Sequence, residues 1–259
     1  MNGSVHMCEL VWKDYSNKVK NGDCVMFVPV GAIEQHGHHM SLNVDVLLPT
    51  AVAERVAANV NGLVAPPITY GYKSQQKSGG GNFFPGTISL DGSTLVATVR
   101  DVLRELARHG VRKFVMVVGH FENYMFVVEG VDLFLRDAKA AGIEKPQVMV
   151  LSYWDFCDDP AVLKVLYPEE AESWALEHGG VFETSMMLAL HPHLVKLENA
   201  VTHPAPQFPH YDMFPAHEDW TPEPGTLSVP THSTKEKGEL IIKTCVDGIT
   251  KAVRKEFCS

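Results

Sequence analysis

The sequence has little of what marks several large functional classes. It contains no run of Lys or Arg, and its 22 basic side chains are outnumbered by 31 acidic ones, for a formal charge of −9. Binding to phosphate backbones or anionic lipid relies on clustered positive charge, so neither nucleic acid nor a membrane surface is expected as a partner. No stretch approaches the roughly 18 apolar residues of a spanning helix. The first seven residues lack a basic segment followed by an apolar one, and a cytoplasmic location is the expectation. Cysteine is scarce: Cys8, Cys24, Cys157, Cys245 and Cys258 are odd in number, spread out and free of any C-x-x-C pair. That excludes a disulfide framework and a thiolate zinc site, and leaves reduced packing thiols. The Gly-rich stretch 71–87 matches neither G-x-x-x-x-G-K-[ST] nor G-x-G-x-x-G in a strand-to-helix setting, so it is no phosphate loop. Its polar composition suits a loop lining a site or a subunit contact.

What is present is 259 residues, 45% of them hydrophobic, enough for a large core. Short continuous apolar runs at 24–30, 114–118 and 148–151 have the character of strands buried on both faces, and the first two end at Gly31 and Gly119. A fourth, 64–68, carries prolines that suit an edge or a terminus. Between these runs the period lengthens. Leu95, Val99, Val102, Leu103 and Leu106 recur at helical spacing before Gly110, a C-terminal stop. Residues 46–60, 123–141 and 180–190 also read as helices, and Ser233-x-x-Glu236 reads as a capping box opening a last helix to about Phe257. Alternating strand and helix predicts an α/β fold: a three-layer α/β/α domain with a largely parallel sheet. Residues 203–230, with seven prolines and several aromatics, predict an ordered Pro-rich excursion packed on that domain or on a neighbouring subunit.

Two places concentrate metal-binding side chains. After the first strand come Glu34, His36, His38 and His39, with Asp45 shortly beyond; after the run at 114–118 come His120 and Glu122. In an extended chain residues two apart project to the same side, so Glu34 converges with His36 and His120 with Glu122. Both pairs fall just past the carboxyl ends of parallel strands, where open α/β sheets place ligands. A single His at a strand end is more often a hydrogen-bonded structural residue. Two Glu/His pairs after two buried strands are harder to dismiss, because buried carboxylates without cations cost several kcal/mol each. Five N/O ligands exceed the three that one catalytic ion needs, so two ions are expected, with Asp45 as the bridge. The donor set suits Zn²⁺ or Mn²⁺. His38 and His39 are expected in supporting roles.

A third cluster, residues 174–183, places His178 before two glycines and a helical run. A general acid/base would fit there, and so would a capping or surface His. Trp154 and Trp174 read as core residues or as walls of a pocket. Non-catalytic metal sequestration remains an alternative from another class. Phosphoester hydrolysis is disfavoured, since neither ligand cluster has Arg or Lys beside it in sequence.

At these residues the chain resembles the creatininase family along essentially its whole length. The likeness is carried by residues 29–39, 43–50, 70–82, 119–123, 151–155 and 177–185. The Glu-x-His-Gly-x-His and Gly-His-x-x-Asn patterns mark the wider group of amide hydrolases, and the Lys-Ser-Gln-Gln-Lys-Ser loop and the 174–178 segment mark creatininases themselves. The resemblance implies one catalytic domain over 1–259 and a binuclear Zn²⁺/Mn²⁺ enzyme. It places Glu34, Asp45 and His120 around one ion and His36, Asp45 and Glu122 around the other. It further implies interconversion of creatinine and creatine by attack of a metal-bridging hydroxide on the ring carbonyl, in a homohexamer. The substrate pocket would be formed by Ser78, Phe121, Trp154, Trp174, Ala175 and His178, with His178 or a water held by Glu122 protonating the leaving nitrogen. A relative acting on another cyclic amide or a formamide would share these residues. Two positions depart from the pattern. Phe121 stands where creatininases usually carry Tyr, so a contact through that hydroxyl is lost, and Ala175 replaces a more polar residue.

Overall fold

A computed structural model describes residues 4–168 and 176–258. Its centre is a parallel sheet of four strands, β1 (Val25–Val30), β2 (Gly62–Val64), β3 (Lys113–Val118) and β4 (Gln147–Ser152), in the order β2-β1-β3-β4. Every residue of β1 is buried, as the unbroken apolar run predicts for a strand covered on both faces. The side chains alternate between two cores. Val25, Phe27, Val115 and Val117 face one, and Met26, Val28, Val30, Phe114, Met116 and Val118 face the other.

The first core is closed by α2 (Val44–Asn59), α7 (Val181–Leu190) and α8 (Lys235–Phe257), through Leu48, Val52, Met186 and Ile241 among others. The second is closed by α4 (Gly92–Arg108) and α5 (Asn123–Ala140), with Leu95, Val99, Leu103, Val127, Val131 and Phe134 inside, and by Val19 at the end of α1 (Trp12–Val19). The layers are therefore α/β/α, as expected. Each fully buried Val, Leu or Phe contributes about 1.5–3 kcal/mol relative to exposure. Gly110 adopts φ +112° just after α4, the left-handed stop its position predicted.

Two local readings change. The fourth strand is shorter and earlier, Gly62–Val64, because the prolines that follow cannot donate ladder hydrogen bonds. The last helix is capped by Thr234, whose Oγ1 accepts from Lys237 N, and not by Ser233, whose hydroxyl is buried without a hydrogen-bond partner among the described residues. Helices α3 (Gln76–Gly79), inside the Gly-rich stretch, and α6 (Pro160–Leu166) lack the long apolar period that reveals the others.

Register positions the site. β1 and β3 pair without stagger from Val25↔Lys113 to Val30↔Val118, and β3 pairs with β4 from Lys113↔Gln147 to Val118↔Ser152. Three carboxyl ends are thus level, and the segments after Val30, Val118 and Ser152 emerge on one rim.

Candidate metal centre

The start of α2 is wedged against two of these strand ends. Pro49 has no N–H for the carbonyl four residues back, that of Asp45. That carbonyl instead faces the glycines after β1 and β3. A Cβ on Gly31 would lie 2.4 Å from Asp45 O, and one on Gly119 would lie 2.3 Å from it. Glycine is required at both places by close approach, and the approach delivers the Asp45 carboxylate between the two strand ends.

Around Asp45 the sequence-distant ligands meet. Oδ1 lies 3.1 Å from His36 Nε2, and Oδ2 lies 3.1 Å from His120 Nδ1. One carboxylate thus divides its two oxygens between two imidazoles, as a bridge would. Glu34 Oε2 is 3.2 Å from His120 Nδ1, and Glu183 Oε1 is 3.6 Å from His36 Nε2. Ligand atoms of Glu34, Asp45 and His120 fall within 4.8 Å of one another, and so do those of His36, Asp45 and Glu183. Glu34, His36 and His178 form a third such group.

The first trio is the one the resemblance implied. The second differs, because Glu183 takes the place expected for Glu122. Glu122 approaches the other face of His120, with Oε2 3.2 Å from Nε2, while its Oε1 accepts from Ser78 Oγ (2.5 Å) and Gln75 N (2.8 Å). Glu183 reaches His36 from the first turn of α7, where its Oε2 also accepts from Gly179 N at 2.7 Å. The signal that could have found it is an acidic residue in a helix's first turn, directly after the glycines that follow His178.

The residues fit divalent ions by several observations. His36 Nδ1 donates to the carbonyl of Glu34 and His120 Nε2 to that of Tyr72, each at 3.1 Å. The remaining nitrogens are thereby aimed at the carboxylates, the usual orientation of metal-binding histidines. Glu34 Oε1, His36 Nε2 and Glu122 Oε2 are buried without a hydrogen-bond partner among the described residues; the close ion-pair distances to His36 Nε2 and Glu122 Oε2 do not meet hydrogen-bond geometry. The local charge is also unbalanced. Burial pushes the Glu34 carboxyl up to about 7 against the pull of His120. Burial disfavours the charged forms of His36 and His120, yet Asp45 and Glu183 around the one, and Glu34 and Glu122 around the other, hold both imidazoles well above their ordinary value. The two imidazoles, in turn, hold Asp45 far below the usual carboxylate range despite its burial. Protons are thus retained where cations would satisfy the same carboxylates.

Above this floor opens a cavity of about 470 Å³, lined by Glu34, Asp45, Ser78, His120, Phe121, Glu122, Tyr153, Trp154, His178 and Glu183 among others. Trp154, on the 3₁₀ turn Tyr153–Phe156 after β4, stacks edge-on against Tyr153 with centroids 5.1 Å apart. Phe121 stands at the rim, 66% exposed. Trp174 and Ala175, expected in the pocket, lie outside the described residues. Lys77 also lines the cavity, but its ammonium is held by Tyr211 O and Asp212 at 2.9 and 2.8 Å. His39 is buried on Thr184 and His38 lies at the surface, so neither faces the centre.

His178 precedes α7 and is 3% exposed; burial and the neighbouring His36 hold its pKa well below the ordinary value. Glu177, beside it, is pushed up to about 7 by burial and Glu183. Its carboxylate accepts from Tyr167 Oη, Ser228 Oγ and Phe182 N, tying α6, the Pro-rich excursion and α7 together. The excursion is packed as expected: Thr221 Oγ1 donates to Gly80 O, and Leu227 N to His178 O. Gln35 was not singled out in sequence, because alternation in an extended chain would turn it away from Glu34 and His36. Residues 34–36 are not in a strand, and its side chain bonds to His178.

A family model described as creatininase, creatinine amidohydrolase, matches residues 8–253. Creatinine amidohydrolase of Pseudomonas putida is 60% identical over 257 residues, 99% of each chain. A crystal structure of creatinine amidohydrolase superposes with a TM-score of 0.97 and 60% identity over 100% of both chains. Three more solved structures, at 59–60% identity and TM-scores of 0.96–0.97 over at least 99% of this chain and 100% of theirs, are a manganese creatininase, an E122Q mutant of Zn-Zn type and an E122Q mutant complexed with creatine.

Proposed function

This chain belongs to the creatininase family, and from that premise we propose that it is a metal-dependent cyclic amidohydrolase interconverting creatinine and creatine. The observation that carries the reading is Asp45 shared between His36 and His120 on the floor of an aromatic-walled cavity. Glu34, Asp45 and His120 would hold one Zn²⁺ or Mn²⁺, and His36, Asp45 and Glu183 the other. Bound there, the ions supply a nucleophile from water near neutral pH and polarise the ring carbonyl.

The protein's own groups do the rest. The flat ring of creatinine stacks on Trp154 and Phe121, each contact worth about 0.5–1.5 kcal/mol beyond burial. Phe121 offers a ring face without the hydroxyl that family members usually have, so it binds by stacking alone. The carbonyl carbon becomes tetrahedral on attack, and the ring nitrogen can leave only with a proton. Glu122 and His178 are the titratable groups on the wall beside the reacting atoms, Glu122 moving the proton and His178 donating a hydrogen bond to the substrate. Glu122 is fixed through Oε1 by Ser78 and Gln75, which leaves its unpartnered Oε2 to take a proton from the attacking water. Trp174 and Ala175 complete the pocket in this reading.

The five cysteines are free, which suits a cytoplasmic setting; among the described residues no helix is long and apolar enough to cross a membrane. A homohexamer would cover exposed apolar side chains such as Met125, Val128 and Phe214. The test is a creatinine-to-creatine assay on chelated protein titrated with Zn²⁺ and Mn²⁺. Turnover should rise to a plateau at two ions per chain. No turnover at full occupancy would remove the substrate assignment, and full turnover after chelation would remove the ions.

A further inference from the structure

Gln35 is 6% exposed and His178 is 3% exposed, and the two meet at the edge of the proposed catalytic cavity. The Gln35 amide has only one sensible orientation. Its Oε1 accepts from Gly37 N at 2.9 Å, and its Nε2 lies 2.9 Å from Gly225 O and 3.2 Å from Gly79 O. Reversing the amide would set its oxygen against two carbonyl oxygens and its NH₂ against an N–H. Three backbone groups therefore decide which end is nitrogen, without reference to any histidine.

The same nitrogen is 2.9 Å from His178 Nε2. That nitrogen shares two hydrogens among three acceptors, Gly225 O, Gly79 O and His178 Nε2, and cannot itself accept; a hydrogen on His178 Nε2 would point at a donor, so His178 Nε2 presents its lone pair to it. The proton of the neutral ring then resides on Nδ1, the atom on the Glu34 side, 3.9 Å from Glu34 Oε2. We propose that Gln35 is a positioning residue that locks His178 in the Nδ1–H tautomer and makes it a fixed hydrogen-bond donor to the substrate instead of a proton carrier.

The consequence is chemical and rests on the creatinine reading given above. With Nε2 closed by the amide, His178 cannot take up a proton there. It also cannot release its single Nδ1 proton without becoming an imidazolate. The proton that the leaving nitrogen needs when the carbon–nitrogen bond breaks, its electron pair remaining on nitrogen, therefore travels through Glu122: taken from the attacking water at Oε2, then handed on, with Glu122 ending as it began. His178 donates Nδ1–H to the oxygen that gains charge, a role a neutral imidazole can fill. The tautomer also excludes His178 from ion binding, although its ring lies close to Glu34 and His36, because neither nitrogen is left with a free lone pair.

Neutron diffraction from deuterated crystals of the metal-loaded protein tests the tautomer directly. Deuterium is expected on His178 Nδ1 and absent from Nε2, and deuterium on Nε2 overturns the proposal. Kinetics test the role. His178→Asn places an amide where Nδ1 stood; it can donate a hydrogen bond but cannot carry a proton. Its kcat should exceed that of His178→Ala by about tenfold or more, whereas equal losses in the two variants refute the donor role. Gln35→Met should lower kcat about tenfold with KM changed less than threefold and two ions retained per chain; an unchanged kcat refutes the positioning. Failure to turn over creatinine at all would count against the substrate assignment and would leave the neutron result to decide the tautomer.

Discussion

The wedge between α2 and the two strand ends can be tested with one methyl group. In Gly119→Ala the new Cβ would lie 2.3 Å from Asp45 O and 2.3 Å from Pro49 Cγ. Relief to an ordinary contact of roughly 3.5 Å needs a displacement of about 1 Å. The start of α2 cannot retreat freely, because Leu48 and Val52 are fully buried behind it. Overpacking of this kind costs about 1–3 kcal/mol, which for a chain of this size lowers Tm by roughly 3–10 °C. The functional loss should be larger. Asp45 oxygens now 3.1 Å from both histidines would shift by a comparable distance, and about 1 Å of misplacement in a catalytic array costs on the order of 10²-fold in rate. The assay is steady-state creatinine hydrolysis with saturating metal, alongside thermal melting of the same preparation. A variant that melts within about 1 °C of the parent and retains kcat within about twofold would show that the close approach does not control the position of Asp45.

The two carboxylates whose positions differ from the expectation can be separated by metal analysis: Glu183→Ala should bind one ion per chain in place of two, whereas Glu122→Gln should keep two and lose about 10²-fold or more in kcat. Two ions in Glu183→Ala would return that ligand position to Glu122. Metal-free protein should lose stability as pH rises. His36 and His120 are held well above 6.5 by the carboxylates around them in spite of burial. Their contribution is therefore complete below the unfolded value and fades as pH climbs through the folded ones. Melting scans of the chelated chain above about pH 6.5 should show a falling Tm that saturating Zn²⁺ abolishes, and a Tm that stays level or rises would contradict the charge balance described for the centre.

The sequence by itself determined the layers and the ligand types. Apolar runs such as 24–30 and 114–118 read as strands covered on both sides, and Leu95, Val99, Leu103 and Leu106 as one face of a helix, since these patterns are local properties of the chain. Glu34, Asp45, His36 and His120 were legible for a related reason: polar donors directly after buried strands are conspicuous against an apolar background. Tertiary structure alone decided which donors share a centre. The unstaggered pairing of β1 with β3 brings the segments that carry His36 and His120 out on one rim, and the close approach at Gly31 and Gly119 puts Asp45 between the two strand ends. The first turn of α7 brings in Glu183 where Glu122 was expected, and the irregular backbone at 34–36 turns Gln35 onto His178. Convergence of this sort depends on distances between segments far apart in the chain, and the spacing of residues along one segment carries no information about them.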